Sequence, residues 1–417
     1  MKTDQIQKVH KDWYKLDLSA IVYPTLQRRD FSSVYRLSVL LKEDIDPEIL
    51  QRAVNLTMPR FPTYKAAIRK GVFWRYLEPN DRPGPFVQED VKNPCQPMHF
   101  KGNNRYLVRI YYYRNRIALE AHHSLGDGTG GMCVLQTLTA TYLRLKGHSE
   151  IENGGFVLDI LGIPDPGELE DAYMKYANAK VCPPRPGEKT YRVRGTKEPF
   201  YTLNIIDGIM SVSEVMRVAK SYNATITEYL NSVLLYALMQ KQESEWHLKL
   251  RPVKIAMPVN LRRFFPSRTL RNFITMIYPG IDPRLGEYTF EEIVTQVHNY
   301  MRYYLNEKLL RGDITTNAET QRNPFIRVVP LFIKDLVVRQ FYTKIQDKNS
   351  SAGLTNMGAL KVPETMKPYI ERFDIYMGQP FSTRTNCAIA SFEDILTINF
   401  ASSIAVSKFW RFYDKNN

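Results

Sequence analysis

The chain has 417 residues, with 44% hydrophobic and 24% charged side chains, the proportions of an ordinary globular protein. That length suits about two domains better than one small core. The formal net charge of +14 raises nucleic acid as a partner, but Lys and Arg are dispersed, with no basic helix and no RNA-binding signature, so no nucleic acid is expected.

In chain order, a mixed stretch with Trp13, Tyr14 and Leu16 leads to Val34–Leu41, which alternates as a strand does. Asp46-Pro47-Glu48 predicts a helix start, with aspartate as N-cap and proline in the first turn, running to about Thr57 before Pro59. Gly71–Leu77 reads as a further strand. Tyr106–Tyr113 and Arg116–His122 predict a hairpin over Arg114-Asn115, followed by a helix from Thr129 to about Arg144. Residues 147–190 read as connection, broken by Gly162-Ile-Pro-Asp-Pro-Gly167 and Cys182-Pro-Pro-Arg-Pro-Gly187. The domain boundary is placed there, giving 1–185 and 186–417. The second half restarts with a strand near Tyr201–Ile206. Ser211/Glu214 and Thr225/Glu228 have capping-box spacing, and Thr289/Glu292 caps a helix to about Leu305. Ile226, Leu230, Val233, Leu234, Ala237 and Leu238 form one helical stripe, read as core. Val253–Met257 and Leu396–Phe400 read as strands. Strands and helices alternate in both halves, which implies α/β architecture.

One stretch carries chemistry: Ala121-His-His-Ser-Leu-Gly-Asp-Gly128, set between the hairpin and a helix. Histidine trades a proton near neutral pH more readily than any other side chain. Adjacent residues on an extended segment face opposite ways, so His122 and His123 do not share a metal, and no metal site is expected. The glycine run 126–131 lacks the Lys-Ser/Thr ending of a phosphate loop, and Asp127 within it would repel an anion. His122 reads as an inward core histidine and His123 as the functional one. Asp127, four residues on and followed by glycine, is placed to turn back and fix the loop.

His-His-Ser-Leu-Gly-Asp-Gly resembles the HHxxxDG signature of the chloramphenicol acetyltransferase-like superfamily, which includes condensation domains, polyketide-associated acyltransferases, wax ester synthases and alcohol acyltransferases. The resemblance implies two such domains in a V, each a mixed β-sheet covered by helices, with a tunnel between them. It makes His123 the general base and Asp127 structural, paired with a distant arginine. Gly128 would let the helix start and the ligand approach closely. Pro258-Val-Asn-Leu-Arg-Arg263 resembles the superfamily's Asn-x-Arg segment and puts that arginine at Arg262, with Arg263 as the fallback. Asn272-Phe273 resembles a Gly-Asn-Phe segment in which Arg271 replaces the glycine. Leu354-Thr-Asn-Met-Gly358 resembles a Ser-Asn-x-Gly segment, which offers Thr355 or Asn356 as an oxyanion donor. The plant enzymes' Asp-Phe-Gly-Trp-Gly is absent, which leaves bacterial alcohol acyltransferase-like and condensation-like members nearer.

The function implied is acyl transfer from a thioester to a small-molecule hydroxyl or amine, with acyl-CoA or a carrier-protein phosphopantetheine arm as co-substrate and no bound cofactor. A modest basic field would suit such an anionic donor. A free-standing amide-forming condensation enzyme and a non-catalytic scaffold of the same fold are the rival readings. Cys133, in the helix after the loop, reads as packing. Cys95, Cys133, Cys182 and Cys387 lie far apart without metal spacing and read as free thiols of a reducing compartment. Met1 to Asp30 carries charges throughout and no run of eighteen apolar residues occurs, so neither a signal peptide nor a transmembrane helix is expected. A cytoplasmic monomer follows as the expectation.

Overall fold

The structure, a computed structural model, describes residues 13–27, 31–179, 188–199, 202–245, 249–378 and 383–405. The boundary expected near residue 185 and Cys182 lie outside the described residues. In chain order the strands are β1 (Tyr14–Lys15), β2 (Val34–Leu41), β3 (Ala66–Lys70), β4 (Arg75–Pro79), β5 (Val87–Glu89), β6 (Val108–Tyr113), β7 (Arg116–His122), β8 (Asn204–Ser211), β9 (Val253–Asn260), β10 (Ile274–Ile277), β11 (Gly280–Ile281), β12 (Ala352–Ala359), β13 (Ile370–Met377), β14 (Thr385–Phe392) and β15 (Ile395–Ser402). The helices are α1 (Val22–Leu26), α2 (Pro47–Thr57), α3 (Gly128–Leu145), α4 (Ala172–Tyr176), α5 (Val212–Ser221), α6 (Ile226–Glu243), α7 (Phe290–Tyr304), α8 (Glu307–Arg322), α9 (Pro324–Val328) and α10 (Leu331–Asn349).

Two mixed sheets organise the chain. The first has five strands in the order β13-β2-β7-β6-β5, antiparallel except for the parallel β5/β6 pair. All of β2 is buried, and its one cation, Arg36, is neutralised by Asp90 at 2.8 Å and Glu120 at 2.9 Å. A buried charge must be paired in this way to avoid a cost of several kcal/mol. Strand β13 comes from far down the sequence, yet it pairs with β2 from Tyr35↔Met377 to Leu41↔Ile370. The second sheet has seven strands in the order β10-β9-β12-β14-β15-β8, with β11 also on β9. Here β12 runs parallel to both β9 and β14, and the other pairs are antiparallel. A third, three-stranded sheet joins β1, β4 and β3.

Helices cover these sheets for local reasons. Asp46 caps α2 by accepting from the Glu48 and Ile49 amides, a contact that contributes about 1 kcal/mol. α3 is buried on nearly every face, between β2 and α2. Thr225 and Glu228 form a reciprocal capping box at the start of α6, and Thr289 and Glu292 form another at α7. Leu230, Leu234 and Leu238 of α6 pack in the core of the second sheet, at about 1.5–3 kcal/mol for each buried leucine. At α5 the box is half formed: Ser211 accepts from Glu214, while Asp394 takes the Ser211 hydroxyl.

Three expectations need correction. Gly71–Leu77 is not one strand: β3 and β4 form a hairpin whose tip is residues 71–74, with the Gly71 amide donating to the Trp74 carbonyl at 2.8 Å. The apolar run that suggested a strand is exposed at that tip. The strand expected over Tyr201–Ile206 is β8, running on to Ser211. The 147–190 stretch is more than connection, because Ala172, Tyr173 and Ala177 of the α4 segment anchor a separate apolar cluster with Phe265, Phe273 and Leu310. Among the described residues no helix is long and apolar enough to cross a membrane.

Candidate active site

Strand β7 ends at His122, residues His123–Asp127 turn, and α3 begins at Gly128. Asp127 is extended and caps α3, its Oδ1 accepting from the amides of Thr129 at 3.1 Å and Gly130 at 3.2 Å. The glycines here serve close approach. A Cβ on Gly126 or Gly130 would collide with the Leu270 carbonyl and the Tyr64 hydroxyl, and one on Gly131 would reach the Tyr35 hydroxyl at 2.6 Å. At Gly128 a Cβ would meet only the flexible end of Met357, at 3.0 Å. That contact places β12 of the second sheet directly against the loop.

The other Asp127 oxygen, Oδ2, accepts from Arg262 Nη1 at 2.8 Å and from the Phe273 amide at 2.9 Å. Arg262 lies just after β9, 135 residues further on. Its Nε donates to the Thr269 carbonyl at 2.9 Å and its Nη2 to the Arg271 carbonyl at 2.5 Å. Both oxygens of the carboxylate are therefore occupied, with Asp127 buried and Arg262 nearly so. So bonded, Asp127 is fitted to hold the loop against the 260–273 segment and has no oxygen left to take a proton. Arg263 turns elsewhere, toward Gly358.

The two histidines differ as their alternation demands. His122 is fully buried: its Nδ1 accepts from the Ser124 amide at 3.2 Å and its Nε2 pairs with Gln27 Oε1 at 3.2 Å. That pattern fixes the neutral ring with hydrogen on Nε2. Burial, and then the neighbouring His123, push its pKa down to about 3. His123 is partly exposed and lies between two tyrosines, stacked on Tyr23 at 4.8 Å and tilted against Tyr35 at 4.6 Å. Burial pushes its pKa down to about 4, against the upward pull of Asp127, Asn272 and Gly126. The ring is thus uncharged at neutral pH. Its Nδ1 is buried without a hydrogen-bond partner.

The remaining residues divide. On β12, the Asn356 amide donates to Thr227 Oγ1 at 2.9 Å and its carbonyl accepts from the Gly358 amide at 2.7 Å, across a turn where Gly358 has φ 73°. Thr355, beside it, is partly exposed. Cys133 is buried, its Sγ donating to the Phe156 carbonyl at 3.3 Å, and burial raises its pKa to about 12. A thiol so protonated is no nucleophile. Among the described residues no group of three His, Cys, Asp or Glu could hold a metal.

Several site residues had no sequence signal, or a weak one. Asn272 donates to the His123 carbonyl at 2.9 Å and to Asp17 Oδ2 at 3.0 Å, so the Asp17 carboxylate sets the orientation of the amide beside the histidine. Asp17 is fully buried 3.7 Å from Arg271, the residue that replaces the expected glycine. Burial pushes the Asp17 pKa up, with Arg271 opposing. Asp171 is raised to about 6 by burial and by Asp17. Tyr23 and Tyr35, which sandwich His123, had no signal of any kind in the sequence.

No family model matches the chain, and no curated protein matches it. Solved structures do: the fold is the two-lobed one shared by acyltransferases and condensation domains of the chloramphenicol acetyltransferase-like superfamily. Trichothecene 15-O-acetyltransferase from Fusarium sporotrichioides is 12% identical at a TM-score of 0.59, over 96% of this chain and 93% of that one. Polyketide synthase associated protein 5 from Mycobacterium tuberculosis is 13% identical at 0.58, over 96% and 95%. A mutant starter condensation domain of rhizomide synthetase, crystallised with C8-CoA and Leu-SNAC, is 12% identical at 0.60, over 98% and 93%.

Proposed function

We propose that the protein transfers an acyl group from a thioester, acyl-CoA or a carrier-protein phosphopantetheine arm, to the hydroxyl or amine of a small molecule. The observation that carries this reading is an uncharged histidine, clamped between Tyr23 and Tyr35, on a loop locked by the Asp127–Arg262 pair. His123 Nε2 takes the acceptor's proton as the acceptor oxygen or nitrogen attacks the thioester carbonyl. The tetrahedral intermediate collapses, the carbon–sulfur bond breaks, and the proton on His123 passes to the departing thiolate. Thr355 and the second Nδ2 hydrogen of Asn356 are the donors assigned to the oxyanion. The Asn272 Oδ1, like His123 Nδ1, is buried without a partner, and an acceptor there for a proton on Nδ1 would leave Nε2 bare. Cys133 takes no part, so no acyl-enzyme forms. Residues 1–185 and 186–417 are the two domains on this reading, and the chain acts as a monomer.

The test is release of free thiol from acetyl-CoA and octanoyl-CoA in the presence of a panel of alcohols and amines. Acceptor-dependent release with at least one alcohol or amine is expected. Thiol release at the same rate with and without every acceptor would mean hydrolysis, and the transfer reading would fall.

A further inference from the structure

The first half of helix α10, residues 331–340, is tied down by polar contacts and leaves apolar side chains exposed. Asp335 pairs with Arg75 at 2.6 Å and accepts from the Thr25 hydroxyl at 2.8 Å, and Arg339 donates to the Thr25 carbonyl at 2.8 Å. Lys334 donates to the carbonyls of Phe73 at 2.9 Å and Arg327 at 3.2 Å, and burial lowers its pKa. Four apolar side chains of the same stretch face out. Phe332, Ile333, Leu336 and Val337 recur with helical spacing, and Phe332 is 73% exposed. A soluble helix buries such a stripe, each large apolar side chain being worth about 1.5–3 kcal/mol there.

The stripe continues onto two other segments. The tip of the β3–β4 hairpin is tied to the start of α10 by the Leu331 amide, which donates to the Val72 carbonyl at 2.8 Å. There Val72 is 71% and Trp74 51% exposed. On α9, Phe325 is 81% exposed, and the Lys334 ammonium draws this helix to the same point. Three separate segments thus turn bulky apolar side chains outward around one lysine. Contiguous patches of this kind mark an interaction surface.

The net charge around the patch is positive. Segments 66–79 and 324–340 carry six Lys or Arg residues against two acids, Glu78 and Asp335. Each acid is held in an ion pair, with Arg69 and Arg75 respectively. A two-fold contact between copies would set this basic rim against itself, and like charges placed so oppose association. An anionic bilayer meets both features at once: the exposed Lys70 and Arg327 reach the headgroups, and Trp74, Phe325 and Phe332 enter the headgroup–acyl boundary. We propose that the surface formed by α9, α10 and the β3–β4 tip docks the protein on an anionic lipid bilayer, lying on the membrane without crossing it. This inference stands apart from the acyl-transfer reading.

The experiment is co-sedimentation of the full chain with sucrose-loaded vesicles of phosphatidylcholine alone and of phosphatidylcholine with 30% phosphatidylserine. Binding to the anionic vesicles should be strong at low salt and weaken as salt rises. Phe332→Gln with Leu336→Gln should lower the partition coefficient at least tenfold, and Arg327→Glu should lower it on anionic vesicles only. All three positions are exposed, so the variants should melt within a few degrees of the parent. Absence of binding to anionic vesicles at low salt would overturn the proposal, as would binding that the double variant leaves unchanged. Light scattering that shows a dimer which the double variant makes monomeric would also overturn it, by making the patch a contact between copies.

Discussion

Removing either partner of the Asp127–Arg262 pair leaves the other buried. The Asp127 side chain is 3% exposed and Arg262 11%. In Arg262→Ala the carboxylate keeps three donors, the amides of Thr129, Gly130 and Phe273, but loses its counter-charge. Breaking a buried pair in this way costs about 3–5 kcal/mol. In Asp127→Ala the guanidinium keeps the carbonyls of Thr269 and Arg271. The helix cap is lost at about 1 kcal/mol, and the Phe273 amide is left without its acceptor at about 1–3 kcal/mol, so the total is about 2–4 kcal/mol. The double variant leaves no orphan charge and should fall short of the sum by about 1–3 kcal/mol. Urea unfolding followed by tryptophan fluorescence, with turnover measured in parallel, reads all three variants. Stability and activity should fall together. Additivity within about 0.5 kcal/mol would mean that the two residues are not coupled. A fully stable but inactive Asp127→Ala would place the carboxylate in the chemistry, against its assignment to holding the loop.

Three other outcomes follow from the same geometry. The His123 and His122 pKa values are depressed to about 4 and about 3, so the unfolded chain binds more protons below about pH 6.5. Their contribution to stability is therefore complete above about pH 6.5 and lost as pH falls toward 4 and then 3, and the acid limb of kcat/KM should sit near pH 4; a limb near 6.5 would mean an exposed, ordinary histidine. Cys133→Ser should retain most activity, and intact-mass measurement with donor alone should show no acyl adduct; an adduct on Cys133 would overturn direct transfer. Gly130→Ala should destabilise by about 1–3 kcal/mol or more, because the new Cβ meets the Leu270 carbonyl, and an unchanged melting temperature would contradict the close packing of the loop.

The elements that the sequence made legible were those set by local chemistry. Asp46 before Pro47 marked the start of α2, and the alternation of Val34–Leu41 marked β2. The Val72-Phe73-Trp74 run misled because composition says that residues are apolar and not what they face. As a strand they would have been half-buried, but they crown a hairpin beside α10. The pairing of β13 with β2 was invisible, since nothing local ties residues 370–377 to residues 35–41. Within the site, the pairing of Asp127 with Arg262 was implied by the family resemblance, and they lie 2.8 Å apart. Tyr23, Tyr35 and Asp17 had no such signal, because what gathers them at the loop is tertiary packing across β2, β7 and the 260–273 segment. Asn272 had a signal, the Asn-Phe pair, weakened by Arg271 in the place of the glycine that the resemblance expects. Arg271 is buried, and its counter-charge Asp17 is the residue that orients Asn272.

The central claim is that His123 acts as a base in direct transfer, and His123→Ala tests it most directly. Acceptor-dependent thiol release from an acyl-CoA should be measured for the parent and the variant, with circular dichroism to confirm that both are folded. The account predicts a folded variant with kcat lowered by about 10²–10⁴ and with little change in donor KM. A folded variant that keeps the parent's kcat would show that the proton leaves the acceptor by another route, and the account of this site would be wrong.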